Sequence, residues 1–154
     1  MDISPNQLDR VSLRSGDVIV CEGGEPGRAA VWLKQESFAI QKALHRGRPS
    51  QEVDSLFLYF LLEQEFRGVR DHPLFTGTTI KHLPKEKMKT VRVPLPSLSE
   101  QHRIVEILEE QFSRLDGVLA VADALEKRLS NMRRSILHAA FNGNLTSEWR
   151  KANA

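Results

Sequence analysis

The sequence predicts an α+β fold: a small mixed α/β domain followed by one long α-helix of coiled-coil type. Three observations predict it. All seven prolines and seven of the nine glycines precede Leu98, so the first part is rich in turns and the second is not. The turn-rich part carries short apolar runs with β-branched residues, which read as strands. From Leu98 to Phe141 there is no proline, and apolar residues recur at steps of three and four, which reads as a helix with one apolar face. The chain therefore divides at Pro94-Leu95-Pro96 into a domain over residues 1–96, a helix over 97–143 and a tail over 144–154.

Taken in order, Asp17-Val-Ile-Val-Cys21 follows the turn signal Ser15-Gly16 and is expected as a strand. A second strand is expected over Arg28-Ala-Ala-Val-Trp-Leu33, after the turn Gly23-Gly-Glu-Pro-Gly27. Phe38 to Leu44 is expected as a third. Pro49-Ser-Gln-Glu52 is expected to open a helix running to about Phe66, with Ser50 as N-cap and Glu52 at the positive end of the dipole. The core of that helix, Leu56-Phe-Leu-Tyr-Phe-Leu-Leu62, is apolar all round and should be buried. Val91-Arg-Val93 reads as a last short strand.

Ser97-Leu-Ser-Glu100 fits a capping box that starts the long helix, and Asn142-Gly143 supplies its stop. At 1.5 Å per residue the helix would measure about 65 Å. Its apolar stripe runs Ile104, Leu108, Phe112, Leu115, Leu119, Ala122, Leu125, Leu129, Met132, Ile136 and Ala140, with irregular steps near Ala122 and at both ends. An unpaired helix would leave this stripe wet, so it is expected to form a helix-pairing interface. Residues 100–126 hold seven acids and two bases, whereas residues 127–134 hold four bases and no acid. This gradient suits either the helix dipole with a solvated face or an antiparallel partner carrying the same gradient, which would allow a homodimer.

Composition bounds the function. The chain has 154 residues, is 40% apolar and 27% charged, and carries 22 Lys plus Arg against 20 Asp plus Glu, a net charge of +2. This is neither a disordered nor a membrane-embedded composition, and no membrane partner is expected. A single cysteine, Cys21, and the lack of a secretory pattern at Met1-Asp-Ile-Ser-Pro5 point to a reducing, cytoplasmic setting. The small net charge hides two basic clusters. Lys42-Ala-Leu-His-Arg-Gly-Arg48 carries +3 with a histidine, and Lys81 to Arg92 carries +4. Gly77-Thr-Thr-Ile-Lys-His82 adds hydroxyls, backbone freedom and a base. Such groups suit contact with phosphates and base edges, though scattered surface bases are also ordinary. The candidate DNA-binding residues are Lys42, His45, Arg46, Arg48, Thr78, Thr79, Lys81 and His82.

No enzyme chemistry is legible. There is no phosphate-binding P-loop, no dinucleotide glycine pattern, no metal-spaced His pair and no nucleophile elbow. No catalytic, metal-binding or cofactor-binding residues are assigned, and the chain reads as a non-enzyme.

Val93-Pro-Leu-Pro-Ser-Leu-Ser-Glu-Gln-His-Arg-Ile-Val105, then a long helix ending Met132-Arg-Arg-Ser-Ile-Leu-His-Ala-Ala-Phe-Asn-Gly-Asn-Leu145, resembles the specificity subunit of type I restriction–modification systems. Gly16 to Arg28, Ala43-Leu-His-Arg46 and Gly77 to Leu83 resemble the later part of a target-recognition domain of that family. The resemblance implies a non-catalytic subunit whose globular domains each read one part of a bipartite site in double-stranded DNA. It implies that long helices pair as an antiparallel coiled coil, space the domains and dock the modification (methyltransferase) subunits. S-adenosylmethionine is then expected on those partners and not on this chain, and the restriction subunit joins the full complex. A full subunit of the family has two recognition domains and two long helices, so the resemblance implies a C-terminal part or a half. The alternative is a helix-mediated dimerisation and assembly module that does not bind DNA by itself.

Overall fold

A computed structural model describes residues 12–36, 38–40 and 43–153. Among the described residues there are three strands, β1 (Val18–Cys21), β2 (Ala29–Val31) and β3 (Leu44–Gly47). They are followed, among the same residues, by four helices, α1 (Ser55–Phe66), α2 (Lys85–Met88), α3 (Leu98–Phe141) and α4 (Ser147–Ala152). The chain falls into two compact units, the first extending through Ile107 and the second starting at Leu108. The fold class is α+β, as expected.

In the first unit β1 is the central strand of a sheet ordered β2-β1-β3, with both pairings antiparallel. Alternation sets its faces. Val18 and Val20 are fully buried, while Ile19 and Cys21 are half-buried on the other side. Helix α1 supplies Leu62 and Phe66 to the same core, and Leu83 closes it. Burying each such side chain stabilises the fold by about 1.5–3 kcal/mol. Phe75 stacks on Phe66 with ring centroids 5.7 Å apart.

Three expectations shift. The third strand described lies over Leu44–Gly47; of the expected Phe38–Leu44, residues 41 and 42 lie outside the described residues and Ala39 makes an isolated bridge to Ser12. Its sequence, Leu-His-Arg-Gly, hides the alternation because the residue opposite Val20 is His45, a polar side chain on the core face. The N-cap of α1 is Asp54, whose carboxylate accepts the Phe57 amide at 2.8 Å, while Ser50 sits in the preceding turn with its carbonyl accepting the Val53 amide. An acidic cap outcompetes a serine here because the chain turns before it enters the helix. Val91 to Val93 is irregular backbone, with Val91 packed against the core.

The root of α3 belongs to the first unit, past the division expected at Pro96. Val105 is 7% exposed and Gln101 is fully buried. Gln101 spends its whole amide there. Nε2 donates to the carbonyls of Glu52 and Pro96, each at 2.9 Å, and Oε1 accepts the Asp54 amide at 2.9 Å. The Ser97 hydroxyl accepts the Glu100 amide at 3.3 Å, the serine half of the expected capping box.

The second unit holds the rest of α3 and then α4. Helix α3 stops in a Schellman arrangement. Gly143 has φ +74°, its amide donates to Ala140, and the Asn144 amide reaches back to Ala139. The residues after it form the short helix α4, where only a tail was expected. Among the described residues, no helix is long and apolar enough to cross a membrane.

Candidate nucleic-acid interface

The two basic clusters meet different fates. Lys42 lies outside the described residues. His45 and Arg46 lie on β3, opposite Val20 and Ile19 of β1, so they face opposite sides of the sheet. On the core side, the His45 Nε2 sits 2.6 Å from the Leu83 carbonyl. The contact joins β3 to the residue that follows Gly77–His82, bringing the two sequence clusters together at that point. On the other side, Arg46 donates to the Ser12 carbonyl. Arg48 grips the buried Asp17 with two bonds, Nε to Oδ1 at 2.7 Å and Nη2 to Oδ2 at 2.8 Å. Burial alone would raise the Asp17 carboxyl. The Arg48 hydrogen bonds, the Arg14 amide and the charges of Arg48 and Arg46 outweigh it and hold the carboxyl below the usual range. These three side chains therefore bind β3 and the residue after it to the segments around the sheet.

The segment Gly77–His82, which leads into the second cluster, forms a closed loop. Thr76 and His82 exchange both backbone hydrogen bonds at 2.8 Å, and His82 also bridges to Gly23 in the turn after β1. Gly77 has φ +91°, and a Cβ there would lie 2.1 Å from the Ile80 carbonyl oxygen, so only glycine closes the loop this tightly. Thr78 and Thr79 are exposed, and Ile80 beside them is 64% exposed. The Lys81 ammonium lies 2.9 Å from Asp71. The Lys81 hydrogen bond, then its charge, holds the Asp71 carboxyl below its usual range. This loop presents two hydroxyls, a branched apolar side chain and a cation on a fixed backbone, the groups that base edges and thymine methyls meet in a groove.

Thr79, Ile80 and Lys81 also line a cleft of about 970 Å³, whose other walls are the turn before β2 and the segment after α1. That cleft carries Arg28, Arg67 and Arg70 in addition. None of the three belongs to a basic cluster in the sequence, because Arg28 stands alone and Arg67 and Arg70 lie about forty residues further on, and only the fold gathers them. Gln101 was likewise given no role by the sequence alone. A signal for it existed: extending the stripe back three residues from Ile104 lands on a polar side chain at an apolar position.

On α3, Ile104 and Leu108 are half-buried. The other eight positions of the expected pairing interface, Phe112, Leu115, Leu119, Ala122, Leu125, Leu129, Met132 and Ile136, are exposed. Leu119 is 60% exposed and Leu129 66%. Among the described residues, no group of three or more His, Cys, Asp or Glu side chains could hold a metal ion.

A tight glycine-closed loop on a small sheet domain, followed in the chain by a long helix with an exposed apolar stripe, is an arrangement that known proteins share. The chain belongs to the type I restriction modification DNA specificity domain family, whose profile matches residues 5–117. The EcoBI specificity subunit of Escherichia coli is 30% identical over 148 residues, covering 96% of this chain and 31% of that protein. The EcoDI specificity subunit of Escherichia coli is 33% identical over 101 residues, covering 66% of this chain and 22% of that protein. A solved structure of a type I restriction–modification system superposes with a TM-score of 0.73 at 24% identity, over 85% of this chain and 32% of its own. The specificity subunit from M. genitalium gives 0.54 at 24% identity, over 92% of this chain and 37% of its own. The chain thus spans about a third of the length of the EcoBI subunit and of both solved chains.

Proposed function

We propose that this chain is the DNA-reading and spacing part of a type I specificity subunit, acting without catalysis of its own. The globular unit reads part of a bipartite site in double-stranded DNA. The long helix pairs with another helix and docks modification subunits, which carry S-adenosylmethionine and the adenine methylation chemistry. A restriction subunit completes the complex in the cytoplasm. The observation that carries this reading is the pairing of a family match over residues 5–117 with a 44-residue helix whose outer stripe is exposed.

Within it, Thr78 and Thr79 are the base-reading candidates, and Lys81 and His82 hold or flank the same loop. The test is selection of bound duplexes from a randomised pool. Wild type should enrich one sequence pattern, and the Thr78→Ala, Thr79→Ala double variant should relax it at one or two base pairs. A pool that emerges unchanged from wild-type selection would sink the reading.

A second reading is a pairing and assembly module that leaves DNA to other chains. It is favoured by the engagement of His45, Arg46 and Arg48 in the chain's own backbone and in Asp17. The acidic-to-basic gradient of α3 would suit a second copy running antiparallel.

A further inference from the structure

The geometry points to the cleft beside the Thr78–Lys81 loop as the place where DNA phosphates are held, through Arg28, Arg67 and Arg70 together with Lys81. This inference rests on the DNA-reading function proposed above and deepens it.

Three separate segments converge on the cleft, and each brings at least one base: the turn before β2, the residues after α1 and the loop itself. Four cations line it against two acids, Glu25 and Glu63. The acids do not cancel the site. Arg28 meets Glu25 at 2.9 Å with both side chains about 70% exposed, Arg67 meets Glu63 at 3.1 Å with the arginine 78% and the glutamate 16% exposed, and Lys81 meets Asp71 at 2.9 Å with the lysine 31% and the aspartate 78% exposed. Each pair keeps at least one partner open to water, so a phosphate, which accepts a bidentate guanidinium fork, can join or replace the carboxylate at a smaller cost than at Asp17. The base just after β3 differs. Arg48 is bound twice to a buried carboxylate, and drawing it away would leave that charge unpaired. Charge that must switch partners is on the cleft, and charge that must stay is at Arg48, just after β3.

Position supports the same division of labour. Ile80, exposed at the loop tip, lines the same cleft as the four bases. Backbone-positioning contacts and a base-reading loop side by side are what a sequence reader needs, because phosphate contacts fix register and base contacts choose sequence.

The experiment is a salt titration of the full chain on a mixed-sequence DNA duplex, followed by fluorescence anisotropy. Each phosphate contact contributes about 0.9 to the slope of log affinity against log salt. The Arg67→Ala, Arg70→Ala double variant should lower the slope by roughly 1.8. Arg114→Ala, an exposed helix arginine outside the cleft, should leave it unchanged. Should the double variant melt early, Arg28→Ala on the neighbouring turn repeats the test with an expected loss of about 0.9. Wild-type binding with the slope unchanged in the cleft variants overturns the cleft and leaves DNA reading standing. Absence of salt-sensitive duplex binding by wild type overturns both.

Discussion

Asp17 shows how a single side chain can redirect a basic cluster. Its carboxylate is 1% exposed, yet it receives the Arg48 fork and the Arg14 amide, and so remains charged. The consequence for pH has a definite sign. A carboxyl whose folded pKa is depressed contributes stability that is complete above its unfolded value and is lost as pH falls through the folded value. Acid titration of wild type, followed by circular dichroism, should therefore show stability beginning to fall as pH drops through the ordinary carboxylate value and continuing to fall down to the lower folded value. Asp17→Asn should flatten that acid limb and cost about 2 kcal/mol at neutral pH by weakening charge-assisted bonds. An unchanged acid limb would remove Asp17 from the account. None of this was legible in the sequence, where Lys42 to Arg48 reads simply as positive. The acid that engages Arg48 lies 31 residues earlier, and only strand pairing brings the two together.

Helix α3 was legible to its end residues because everything that makes it is local: the serine cap, the unbroken stripe and the Asn142-Gly143 stop. Strands depend on distant partners, which is why β3 was displaced along the chain and Val91–Val93 did not pair. The stripe also carries finer information. From Ile104 to Ala140 it advances 36 residues in ten steps, or 3.6 per step. That matches the natural repeat of an α-helix and not the 3.5 of a strict heptad, so a partner should lie alongside with little supercoiling. Leu119→Asp places a charge in the middle of the stripe. Light scattering over a range of concentrations should show self-association of wild type and its loss in the variant. Far-UV circular dichroism of the dilute monomer should be unchanged, because Leu119 is exposed in the single chain. A wild type that stays monomeric at every concentration would argue against pairing of two copies.

Across the whole molecule, two kinds of contact carry the two proposed tasks. The cleft works through exposed charges, which ions in solution screen. The root of α3 works through Gln101, a neutral side chain whose three hydrogen bonds all go to backbone groups. Salt that strips duplex DNA from the cleft should therefore leave the melting temperature of the chain nearly unchanged, as a thermal scan at each point of the titration would check. Gln101→Ala should do the reverse, leaving buried backbone groups unpaired at a cost of about 1–3 kcal/mol each while the salt slope stays as it was. Hydrogen bonds made without ions hold within the first unit wherever the electrolyte drifts. Under the proposed function, DNA would be released and taken up again with the Gln101 contacts to Glu52, Asp54 and Pro96 left as they are.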